Sequence, residues 1–323
     1  MRARLISLHV LLALAAPLAV GAQSAGKVYR IGYLSAGSPD AYSVAFQQSL
    51  RDLGWAEENV VVEQRWAGGK NERLPALASE LVGLRPDVFV TITTPATHAA
   101  VAATTTVPIV FTMVADPVGS GFIASLARPG GNVTGLTFVP ELDFFSKQLE
   151  LLREIAPGVS RVAILWAAAN PVHASIVEVT TAAAARLGLE ALSRPVRTLA
   201  EIEQVFTALP GSGPSACLVI ADFMFFVHGR RLAELASKAR VPVMYGVKEQ
   251  VDLGGLIAYA PDLLAMQRRA AMYVDKILRG AKPADLPAER PSKFVLVINR
   301  QAALALGLTI PPSLLLRADQ VIE

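Results

Sequence analysis

One cysteine in 323 residues is the first constraint. Cys217 sits in the apolar run ACLVIA, where a buried strand thiol fits better than a nucleophile or a metal ligand. A lone cysteine excludes an internal disulfide, and none follows the N-terminal apolar run to accept a lipid. Charge is sparse as well: 30 Lys and Arg stand against 27 Asp and Glu. Without Arg2 and Arg4, which fall in a leader described below, those 30 basic residues become 28 and the balance is about +1. No basic cluster with interleaved aromatics remains to hold nucleic acid. The four histidines are His9, His98, His173 and His228. None has metal-ligand spacing, each reads as an ordinary residue, and His98 alone has a claim on a ligand cleft. Ser35-Ala36-Gly37-Ser38 follows the first strand where a dinucleotide site needs GxGxxG. P-loop, HExxH and GxSxG spacings are missing too; Gly119-Ser120-Gly121 is not a nucleophile elbow. The sequence implies no catalytic residues, no cofactor and no metal.

What is present is apolar. Hydrophobic residues make up 53% of the chain, enough for a large core. Arg2 and Arg4 precede an apolar stretch over 5–20, broken by Pro17, and Val20-Gly21-Ala22 supplies the small residues of a cleavage site. This predicts a signal peptide over 1–22 and a mature start near Gln23. The apolar run, about 16 residues, falls short of the roughly 20 that span a bilayer. The expected product is an exported protein of the periplasm.

The mature chain alternates strand and helix signals, which predicts parallel βαβ units. KVYRIGYLS (27–35), VVVEQRW (60–66), PDVFVTI (86–92) and VPIVFT (107–112) read as strands, with helices over 41–53 and 71–83. A Gly-rich passage covers 119–135. The pattern then restarts. SRVAILW (160–166) matches the first strand, the helix over 172–187 ends in Leu187-Gly188 as the first ends in Leu53-Gly54, and Pro214-SACLVIAD mirrors Pro86-DVFVTITT. GGLIAY (254–259), a helix over 261–280, KFVLVIN (293–299) and QAALALGL (301–308) complete the series. Two α/β lobes are therefore expected. The first covers 23–140, completed by 258–285, and the second covers 141–257, completed by 286–323. Several crossings between them would form a hinge that closes on a ligand.

The stretch TITTPATHAA (91–100) sits where a parallel strand ends and a helix begins, the usual ligand position in open α/β sheets. Its plain structural role is a helix cap, with Thr94 capping and Pro95 at the first helical position. Polar residues recur at the other strand ends: Ser35 and Asp116 in the first lobe, Asn170, Asp222 and Glu249 in the second. Hydroxyls and N–H groups thus face carboxylates across one cleft. That suits a zwitterion, its carboxylate on the Thr94–Thr97 helix start and its ammonium on Asp222. Asp116 and Asp222 also suit turns or caps. Trp66, Trp166, Phe225, Phe226, Tyr245 and Tyr259 lie near strand ends, as core or as pocket wall.

Taken together, ARPGGNVTG (127–135), VPVMYGVKEQVDLGGLIAYAP (241–261), the closing LGLTIPPSLLLRADQVIE and TTPATHAA resemble the substrate-binding components of ABC importers, the tryptophan/tyrosine-type transport binding proteins. The resemblance implies a type I periplasmic-binding-protein fold, no catalysis, and a small ligand, an aromatic or hydrophobic amino acid, handed to a membrane permease by a monomeric protein. By position it implicates Thr94, Ala96, Thr97, Asp116 and Asp222, with Tyr245 and Glu249 as further candidates. The chain departs from that pattern at Asp222-Phe223-Met224-Phe225-Phe226 and at His98. An exported α/β enzyme such as a hydrolase, or a sensor that docks on a receptor, are the other readings the sequence leaves open.

Overall fold

The computed structural model describes residues 27–138, 143–212 and 215–323; the expected leader over 1–22 lies outside them. Five parallel strands build the first sheet: β1 (Tyr29–Ser35), β2 (Val60–Trp66), β3 (Val88–Ile92), β4 (Ile109–Val114) and β5 (Val133–Thr137). Their order is β2-β1-β3-β4-β5. The central strand β3 reads VFVTI and is buried at every position, as a parallel strand covered on both faces must be.

The second sheet has seven strands: β6 (Arg161–Ala167), β7 (Glu190–Val196), β8 (Ser215–Val219), β9 (Val243–Tyr245), β10 (Ile257–Pro261), β11 (Phe294–Asn299) and β12 (Gln320–Ile322). Its order is β12-β11-β10-β9-β8-β6-β7. The run β7-β6-β8-β9-β10 repeats the topology of the first sheet. All pairings are parallel except β10 with β11. The exception follows from the route of the chain. Between β10 and β11 it leaves for the first lobe and returns, so no right-handed crossover within one sheet constrains the direction.

That excursion divides the C-terminal segment differently from the sequence expectation. Residues 257–261 join the second sheet, while the helix Leu263–Leu278 packs on Ala41–Asp52 and β4 of the first lobe. Residues 288–289 run beside β5, Glu289 accepting from Thr137 N–H and donating to Gly135 O, before β11 returns to the second lobe. Each sheet carries apolar clusters on both faces. Phe46, Val90, Met266 and Val274 belong to one cluster of the first lobe, Leu74, Phe89 and Phe111 to the other. Side chains of this size contribute roughly 1.5–3 kcal/mol each when buried. Among the described residues no helix is long and apolar enough to cross a membrane.

Candidate functional site

In both sheets the strand order reverses beside the first strand of the lobe, between β1 and β3 and between β6 and β8. The loops at these switch points face each other across one cleft, enclosing about 1050 Å3 of empty space, part of it open to solvent. From the first lobe come Ser35 at the end of β1 and Thr93, Thr94 and Pro95 after β3; from the second come Asn170 after β6 and Asp222 after β8.

The first-lobe corner is strained. Thr93, not Thr94, stands at the N-cap position of the helix Thr94–Ala103, and its side chain makes no capping bond. Its backbone lies at φ 82, ψ 159, a region that is essentially glycine territory and costs a residue with a Cβ of order 1–3 kcal/mol. Its hydroxyl is buried without a hydrogen-bond partner. This corrects the expected cap at Thr94, and it places an unsatisfied oxygen beside the free N–H groups of a helix start. Ser35 nearby is spent locally, its Oγ accepting from Gly37 N–H at 3.0 Å.

The second-lobe corner is a network. Asp222 caps the short helix Phe223–Val227, Oδ1 accepting from Met224 N–H at 2.9 Å, while Oδ2 accepts from Asn170 Nδ2 at 3.0 Å. His173, 2% exposed, completes it. Its Nδ1 accepts from Ala167 N–H at 3.2 Å, so the neutral ring carries its proton on Nε2, 3.7 Å from Asp222 Oδ2. Burial lowers the His173 pKa from its ordinary 6.5, outweighing the pull of Asp222. The ring therefore stays neutral near pH 7 and leaves the carboxylate's charge to be met from the cleft. Among the described residues no lysine or arginine lines the cavity, whereas Asp40 and Asp222 do. Burial raises the Asp40 carboxyl, which caps the helix Ala41–Asp52. The site favours a cation at the second lobe, and its described lining offers an anion neutral donors.

Five expected residues do not line the cavity. Ala96 and Thr97 are buried in the first lobe, where Thr97 Oγ1 bonds Thr93 O and Thr91 Oγ1; the helical phase turns them towards the sheet. Asp116 accepts from Gly119 N–H at 2.8 Å and holds a turn. Tyr245 is fully buried in the second-lobe core, which pushes its phenol pKa up. Glu249, its carboxyl raised by burial, adjoins the Tyr42 hydroxyl instead of the cavity. His98 is exposed, with its ring edge-to-face on Phe122.

Other lining residues had no local signal. Tyr42, Phe144, Phe145 and His173 lie on helices and reach the cleft only because the lobes pack as they do. Phe226, a pocket-wall candidate, lines it, as does its neighbour Phe223; Phe225 is core, and Trp66, Trp166 and Tyr259 stand outside the lining. The cavity is thus polar at the two switch points and aromatic between them. Among the described residues no cluster of His, Cys, Asp and Glu is suited to a metal ion.

The chain is similar to several known proteins. The chain is 24% identical over 272 residues to a tyrosine-binding protein of Clostridioides difficile strain R20291, covering 84% of this chain and 78% of that one. A crystal structure described as a conserved domain protein from Vibrio cholerae superposes with a TM-score of 0.85 at 28% identity, covering 91% of this chain and all of the other. An ABC domain from Streptococcus pneumoniae, solved in complex with L-Trp, superposes with the same TM-score of 0.85 at 27% identity, over 92% of this chain and all of that one. The family model described as ABC transporter substrate binding protein matches residues 28–322. The chain belongs to the ABC transporter substrate-binding protein family.

Proposed function

We propose that this solute-binding protein captures an aromatic or other hydrophobic amino acid between its lobes and delivers it to a membrane permease. The observation that carries the reading is the pairing of Asp222 with the Thr93–Thr94 corner across a cavity whose described lining holds no lysine or arginine. In it the ligand ammonium lies on Asp222, whose other donors are neutral. The carboxylate takes the N–H groups at the helix start and the Thr93 hydroxyl. Phe144, Phe145, Phe223 and Phe226 contact the side chain. Relatives named for tyrosine binding and solved with L-Trp support that ligand class. Export through a cleaved leader over 1–22, a periplasmic location and a monomeric state belong to the same reading.

Native mass spectrometry of the purified protein, followed by a thermal-shift screen of amino acids, tests it. A ligand at a hundred times its Kd stabilises the folded state by about 2.7 kcal/mol, a readily measured shift. L-Tryptophan amide keeps the ammonium and loses the carboxylate, so it should bind more weakly by about 1.5–3 kcal/mol. Equal binding of the amide would remove the helix start as a carboxylate site.

A further inference from the structure

Phe223 belongs to the second lobe, yet its ring lies on the first. The loops after β1 and β2 are zipped together there, Gly68 N–H donating to Gly37 O and Gly69 N–H to Ala36 O, each at 2.8 Å. They present two glycines to the ring. A Cβ on Gly37 would sit 2.5 Å from Phe223 Cε2, and one on Gly69 would sit 3.3 Å from Cε1. The ring is backed by Phe226, stacked at a centroid distance of 6.1 Å. Phe223 also lines the cavity and directly follows Asp222, whose Oδ1 caps the turn that carries it.

We propose that Phe223 is a ligand-coupled latch, and that Gly37 and Gly69 form the notch in the opposite lobe that receives it. The proposal rests on the reading of this cleft as the ligand site. A ligand cation on Asp222 fixes the first turn of Phe223–Val227, and that turn aims the ring at the notch. Seating the ring in turn covers the ligand, so capture and closure share one short segment. The two glycines have different reasons to be there. Gly69 lies at φ +80, where glycine is favoured whatever its neighbours. Gly37 has no such backbone need, and its missing side chain matters because an aromatic ring occupies the space.

That difference supplies the test. Gly37→Ala adds one methyl that the open form accommodates and the latched form does not. Titration calorimetry with L-tryptophan on wild type, Gly37→Ala, Phe223→Ala and the double variant gives a cycle. Gly37→Ala should weaken binding at least about tenfold, because the closed population falls. In the Phe223→Ala background the same methyl should cost almost nothing. Equal loss in both backgrounds, or no loss in either, would overturn the latch. If wild type binds neither L-tryptophan nor L-tyrosine, the ligand reading fails and the latch is still tested by small-angle scattering without ligand. Gly37→Ala should then expand the protein when Phe223 is present and not when it is absent; a radius indifferent to the methyl with Phe223 in place would count against it.

Discussion

Asp222 is surrounded by donors that carry no charge: the Asn170 amide, the Met224 N–H and an imidazole kept neutral by burial. A ligand ammonium is what such a carboxylate lacks. Asp222→Asn keeps an oxygen for Met224 N–H, so the helix cap survives while the charge goes. Affinity for L-tryptophan should fall by about 1.5–3 kcal/mol, with the melting temperature of the free protein nearly unchanged. Equal affinity in calorimetry would remove Asp222 from the ammonium site. His173 makes a pH prediction. Its folded pKa lies below its unfolded value near 6.5. Between the two values the unfolded chain binds the extra proton, so stability is lost as pH falls through that window. Thermal midpoints measured from pH 7.5 down to 5 should drop more steeply for wild type than for His173→Gln. Asp40 and Glu249, raised by burial, act in the opposite direction but are common to both proteins. Parallel slopes would contradict a neutral buried His173.

At the scale of elements, the corner between β3 and the helix Thr94–Ala103 holds strain in Thr93 that glycine would not have. Thr93→Gly should therefore raise the thermal midpoint, by an amount set by roughly 1–3 kcal/mol of relieved strain, and should weaken ligand binding because the hydroxyl is gone. A variant more stable and equally tight would show that the threonine serves no ligand. The sequence made much of this framework legible. Apolar runs bounded by Gly and Pro mark β1, β3, β4, β6 and β8, and polar residues at or just past their ends include Ser35, Thr94, Asn170 and Asp222. Strands such as β5 and β7 carry no such signal because VTGLT and EALSRPV mix Gly, Thr, charge and Pro; the exposed pattern of β7 is that of a sheet edge. Ala96 and Thr97 stand outside the cavity lining for another reason. Which face of a helix meets the cleft depends on how the chain enters it, and here Thr93 enters with φ positive. Tyr42, Phe144, Phe145 and His173 depend on lobe docking, which no local pattern encodes.

For the whole molecule, Phe138 belongs to the first lobe and Phe144 to the second, and the chain passes between lobes again at 261–263 and between 289 and 294. Side chains brace the second and third of these passages. Arg269 holds Glu289 through two bonds, at 2.7 and 2.5 Å, tying the third passage to the helix Leu263–Leu278. Gln148, on the helix that opens the second lobe, donates to Tyr259 O on β10 just before the second. Hinge closure about the cleft is the motion that such multiple crossings suit. Closure then links both recognition corners to one ligand. The most direct test is titration calorimetry of the purified protein, freed of co-purified ligand, with L-tryptophan and L-tyrosine. A single-site isotherm for at least one of them, weakened about tenfold or more by Asp222→Asn, is the expected result. Absence of binding for both, or binding indifferent to Asp222, would contradict amino-acid capture at this cleft.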